Sequence, residues 1–263
     1  MKKLLFWMVL IVGIIAVIGA CKKSDDSTTT TTTTTTSCAG DSTFTIASSC
    51  SDTASGSITG IDNASLSGTF SPFHLYGITG GYSVDNSTDC IDNSTFILSW
   101  ANTMGYPTGA ASAIVNYSVT SSSTFAKRHI FYSDSGCSTE LASVVFGYDE
   151  LSNGGRASGL STTISGSTYP STASKLTYNQ SCAKLKGSTA AGVTWIKTLL
   201  NGTDPTVGTE YTCDVGTNAR YALMFVDNSS NQAQAWGNVV YFEESETAVP
   251  SDWDDPDTLL TLP

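Results

Sequence analysis

The chain has 263 residues, with 23 acidic against 12 basic side chains and a formal charge of −11. Four lysines and two aspartates precede residue 37, so residues 37–263 carry 8 basic and 21 acidic side chains, a net −13. A surface this acidic repels phosphate backbones and anionic headgroups, which excludes nucleic acid as a partner.

In chain order, Lys2 and Lys3 give a positive start, and Leu4 to Ala20 is an unbroken apolar run. A spanning helix needs about 20 such residues, so this run lies at the short edge of an anchor. It closes on Ile18, Gly19, Ala20 and Cys21, an aliphatic residue and two small ones before a cysteine. This segment resembles a bacterial lipoprotein signal peptide. The resemblance implies that residues 1–20 are removed and that Cys21 carries lipid, placing the chain in the bacterial envelope, extracytoplasmic and membrane-held. Two or three acyl chains anchor stably where one does so only marginally.

Residues 21–37 hold Lys22, Lys23, Asp25, Asp26 and nine threonines, Thr28 to Thr36. With no apolar side chain to bury, the segment reads as a flexible tether reaching at most ~55–60 Å. Residues 38–250 then form one block, followed by an acidic tail, residues 251–263. Seven cysteines less Cys21 leave six: Cys38, Cys50, Cys90, Cys137, Cys182 and Cys213. An even set beyond an export signal argues for disulfides, although sequence does not choose among 15 pairings. Neighbour pairing gives Cys38–Cys50, Cys90–Cys137 and Cys182–Cys213.

The block alternates short apolar runs with turn residues, which predicts strands at Thr43–Ala47, Ser55–Ile61, Ser65–Tyr76, Tyr82–Val84, Thr95–Trp100, Ala113–Val119, Ala126–Tyr132, Leu141–Tyr148, Leu160–Ser165, Ser174–Tyr178, Glu210–Asp214, Arg220–Val226 and Ala233–Phe242. Breakers include Asn153-Gly154-Gly155 and Asn201-Gly202. One helix is expected over residues 188–200, capped by Ser188. The fold class is therefore all-β, an antiparallel sandwich or barrel.

Phe131-Tyr132-Ser133-Asp134-Ser135-Gly136-Cys137, followed by Val144-Val145-Phe146-Gly147-Tyr148, resembles a segment of small lipocalin-like bacterial β-barrels. In those, Tyr-x-Asp-x-x-Cys ends a strand before a Gly-x-Tyr strand. Here Gly147 and Tyr148 are adjacent, a departure from the second half of the pattern.

No nucleophile elbow, phosphate loop or His-Glu-x-x-His occurs in the sequence. His74 and His129 sit in strand-like runs and read as structural. The densest acid cluster, Asp252, Asp254, Asp255 and Asp257, offers hard oxygen ligands for Ca²⁺. It lacks the glycine of known Ca²⁺ loops, and a solvated tail is the favoured reading; no other cofactor is expected. The composition and tether point to a non-enzymatic envelope domain that binds a small ligand, a glycan or an envelope protein. The alternatives are a structural or adhesive surface lipoprotein and, less favoured, a hydrolase.

Overall fold

The computed structural model describes residues 22–23, 36–39, 50–61, 64–72, 90–91, 105–164, 167–199, 204–227, 239–254 and 257–261. Cys21, the strands expected at Thr43–Ala47, Tyr82–Val84 and Thr95–Trp100, and His74, Trp236 and Asp255 lie outside these residues. The described chain is all-β with one helix.

Its strands are β1 (Lys22–Lys23), β2 (Thr36–Ala39), β3 (Ser57–Thr59), β4 (Ser65–Ser67), β5 (Thr69–Pro72), β6 (Cys90–Ile91), β7 (Ser112–Val119), β8 (Phe125–Tyr132), β9 (Glu140–Ser158), β10 (Thr163–Ile164), β11 (Ser167–Thr168), β12 (Thr172–Gly187), β13 (Glu210–Asp227), β14 (Val239–Ser245) and β15 (Asp257–Thr261). Antiparallel pairings run β5–β7–β8–β9–β12–β13–β14–β15 and return from β15 to β5. The curled sheet therefore meets itself, in an order that follows the chain: an eight-stranded up-and-down barrel. Closure leaves few unpaired edges. Short strands extend the sheet at the rim, with β2 parallel to β13 and β6 antiparallel to β7.

Alternation sorts each long strand into two faces. On β7 and β8, Tyr117, Val119, Phe125 and Phe131 point into one core with Phe146, Tyr148, Leu176, Tyr178, Met224 and Phe242. Helix α1 (Ala190–Leu199) packs on this inner face, with Trp195 edge-on to Phe131 at 5.1 Å between ring centroids. Gly192 makes the close approach possible, because a Cβ there would lie 1.9 Å from the Leu141 carbonyl oxygen. Thr189, not the expected Ser188, caps the helix, its Oγ1 accepting from the Gly192 amide at 3.1 Å. Ser188 instead donates to Glu140 at 2.6 Å.

Two expected breaks are absent. Asn153-Gly154-Gly155 lies inside β9, where Gly155 takes φ +92° and the register with β12 shifts. A bulge of this kind bends a strand without ending it, as barrel curvature requires. Likewise Glu210–Asp214 and Arg220–Val226 belong to one strand.

Residues 251–263 depart further from expectation, since part of the tail is structure. Trp253 is 4% exposed among Ala157, Leu160, Ala173 and Leu223, and its indole N–H donates to the Pro170 carbonyl at 2.7 Å. The strand after it, β15, pairs with both β14 and β5 and so closes the ring.

The segment quoted for its barrel resemblance forms a built turn. Asp134 accepts from the amides of Gly136, Ser138 and Thr139 at 3.0, 3.1 and 2.6 Å. The Ser138 amide first, then that of Thr139, holds its carboxyl at about 2, below the usual 3.8. A depressed carboxylate stabilises above its unfolded value and loses that effect as pH falls through the folded one. Protection of the Ser138 and Thr139 amides, with exchange corrected for its intrinsic pH dependence, is therefore expected to hold above pH 4 and to fall towards pH 2. Unchanged protection across that window contradicts the assignment.

Cys90 is bonded to Cys137, the neighbour pairing, whereas Cys50 is bonded to Cys182. The second bond overturns both Cys38–Cys50 and Cys182–Cys213. Neighbour pairing failed because residues near Cys50 cross the outside of the barrel and meet β12 from far away in the chain. Gly147, paired with Cys182 across β9 and β12, makes room for this bridge: an added methyl would lie 2.3 Å from Cys182 Sγ and 2.9 Å from Cys50 Sγ. Gly147→Ala is expected to lower stability by about 1–3 kcal/mol, as overpacking does, read as a shift in urea midpoint. A shift below 0.5 kcal/mol would place the bridge elsewhere.

Candidate functional site

The inner face is not uniformly apolar. Lys127 is in phase with Phe125 and Phe131, Arg220 with Ala222 and Met224, and Glu244 with Phe242. On the same face Gln180 follows Tyr178. In a packed barrel these positions would be aliphatic, because burying a charge costs free energy unless it is paired.

The polar groups converge on a ring-lined wall. Phe125 stacks on Tyr148 at 4.6 Å and meets Tyr178 edge-on at 5.0 Å. Phe70 stacks on Tyr117 at 5.2 Å, with Phe242 tilted 6.3 Å from Tyr117. The Lys127 ammonium lies 5.0 Å over the Tyr117 ring. Tyr178 donates its hydroxyl to Glu244 Oε1 at 3.0 Å. Arg220, 7% exposed, donates to Gln180 Oε1 at 3.1 Å and sets the same nitrogen 3.1 Å from Glu246. The result is a wall of six rings carrying two cations and two carboxylates.

Burial raises the Tyr148 and Tyr178 phenols, and the Glu244 carboxylate raises both further; Lys127 and Arg220 pull Tyr148 partly back. A phenol raised above its unfolded value of 10 stabilises fully below pH 10 and loses that effect as pH rises through the folded value. Stability is therefore expected to fall above pH 10 by about 1.4 kcal/mol per pH unit for each tyrosine. Tyr148→Phe should flatten the urea-midpoint profile between pH 10 and 12; a profile unchanged by that variant contradicts the burial argument. His129, at 1% exposure on this face, is held well below its usual value by burial and then by Lys127. It stands edge-on to Phe146, a neutral wall residue and not a poised base.

A second polar group lies on the outside. Asp52, brought there by Cys50–Cys182, sits 2.9 Å from Lys184 Nζ and 3.7 Å from Arg128 Nη1. Lys186 lies 3.5 Å from Glu140. With Ser143 and Glu210 these residues line an open cleft of about 140 Å³. Its cations and carboxylates neutralise one another, so it carries no net field for a charged ligand.

Of the expected Ca²⁺ ligands, Asp255 lies outside the described residues, and Asp252 and Asp254 are engaged by the protein itself. Asp252 accepts from the Ser161 amide and hydroxyl at 2.6 and 2.5 Å, just before the antiparallel pair of β10 and β11. The Asp254 amide donates to Glu243, and Asp257 opens β15. Among the described residues no group of three His, Cys, Asp or Glu is placed to hold a metal. Among the same residues no helix is long and apolar enough to cross a membrane.

Sequence reasoning assigned no role to Lys127, Arg220, Glu244 or Glu246. A signal was present, since each inward polar residue stands two positions from apolar neighbours on its strand. Fold and site together define the chain as an up-and-down β-barrel with a polar–aromatic interior. No family model matches the chain, and a search of curated proteins found no match.

Proposed function

We propose that this chain is a lipid-anchored envelope protein whose barrel receives a small ring-bearing ligand at the Tyr117–Tyr148–Tyr178 wall. The observation that carries the reading is the set of Lys127, Arg220, Glu244 and Glu246 against six aromatic rings on the inner face of an eight-stranded barrel. A barrel of this size has room for side chains or for one small ligand. Flat rings stack on aromatic walls, and the paired acids and bases suit hydroxyl groups better than net charge. The ligand class is thus an uncharged ring bearing hydroxyls. Two disulfides support an oxidising, extracytoplasmic compartment.

Calorimetry on the mature chain in detergent tests the binding, with methyl glucoside and 4-methylcatechol as saturated and aromatic probes. One of them is expected to bind, and Glu244→Gln to weaken it about 10- to 100-fold, the range of a hydrogen bond to a charged group. Failure of both probes, or affinity indifferent to Glu244→Gln, overturns the reading in favour of a structural or adhesive role. The anchor has its own test: Cys21→Ser is expected to abolish acyl labelling and release the protein from membranes, and unchanged labelling contradicts it.

A further inference from the structure

We infer that Cys38 and Cys213 form a third disulfide, which fastens the segment following the tether to the barrel wall. Three observations converge. The two residues are register partners in the parallel pair of β2 and β13. Neighbouring strands lie about 4.8 Å apart, within the roughly 4.4–6.8 Å Cα separation that disulfides span. They are also the two members of the even set of six that the bridges Cys50–Cys182 and Cys90–Cys137 leave over. Finally, Cys213 has no exposed surface, so a partner must come from an element packed against it, as β2 is.

The three bridges then share one design. Each joins a residue of the chain before β7 to the barrel: Cys50 to β12, Cys90 to the turn after β8, and Cys38 to β13. Among the described residues this early segment contributes only short strands to the sheet, and covalent bonds add to their ladder hydrogen bonds. A pull on the N-terminal side of Cys38 would pass directly into β13, a long strand paired along much of its length with β12. Formation is thiol–disulfide exchange. The two thiols lose two protons and two electrons to the disulfide of an envelope oxidant, which leaves as two thiols. The bond does not depend on the ligand reading, and its test does not use binding.

The experiment is peptide mapping of full-length protein extracted from membranes, alkylated in denaturant without reduction. A linked Cys38–Cys213 peptide pair is the expected result. Alkylation of either residue, or linkage of Cys38 to any other cysteine, overturns the inference. Cys213→Ser should unmask one new thiol, at Cys38. Should that variant not accumulate, Cys38→Ser should unmask Cys213, reactive only in denaturant. Failure of the recovered variant to yield its thiol also overturns the bridge.

Discussion

Replacing Arg220 with methionine is expected to destabilise the barrel by about 3 kcal/mol, the range for breaking a buried ion pair. Methionine keeps most of the apolar stem, so the loss reports charge and hydrogen bonding. Two groups are stranded. Gln180 loses its donor, and the Glu246 carboxylate loses the cation 3.1 Å away, an attraction of charge without hydrogen-bond alignment. Burial already raises the Glu246 carboxyl from 4.5, with Glu244 adding and Arg220 opposing. Removing Arg220 raises it further. A carboxyl raised above its unfolded value stabilises below that value and loses the effect as pH rises through the folded one. The penalty should therefore shrink below pH 4.5 and be largest near neutrality. Adding Glu246→Gln should recover part of it. Urea unfolding of the two variants between pH 4 and 8 checks this; a pH-independent loss would assign the effect to packing alone.

Trp253→Ala is expected to cost about 3–5 kcal/mol, as deletion of a buried tryptophan does. Trp253 is the largest side chain of the outer cluster with Leu160 and Leu223, and it holds the Pro170 carbonyl. It also sets the approach of β15, which closes the ring. Had the acidic tail been solvated, the change would stay within about 0.5 kcal/mol. Thermal unfolding separates the two outcomes by many degrees. Loss of β15 pairing should appear as faster amide exchange on β14 and β5.

The expected and observed folds agree where local pattern decides the outcome. Strands β7 and β8 are runs rich in aromatic and β-branched residues, and their expected bounds fall within one residue of those observed. The helix, Ala190–Leu199, falls within the span expected for it, residues 188–200. Disagreement arises where distant residues decide. Asn153-Gly154-Gly155 reads locally as a turn, yet β12 supplies partners on both sides of it and turns it into a bulge. Asp252 reads as a solvated or metal-binding acid because Ser161, its partner, is far off in sequence. The pairing of Cys50 with Cys182 joins residues 132 apart in sequence, a contact that no local spacing encodes.

The interior site was half legible. Lys127 and Glu244 break the apolar phase of strands β8 and β14, a signal any alternation count would show. That Tyr117, Tyr148 and Tyr178 share one wall depends on register across β7, β8, β9 and β12, and register emerges only once the ring is closed.

The central claim is that the inner wall is the place of binding. It is tested most directly by NMR of the mature chain with ring-labelled tyrosines, titrated with 4-methylcatechol and methyl glucoside. One probe should shift the ring signals of Tyr117, Tyr148 and Tyr178 in a saturable manner and leave the outward Tyr169 and Tyr241 unmoved. Shifts confined to the outer tyrosines, or none with either probe, would contradict it.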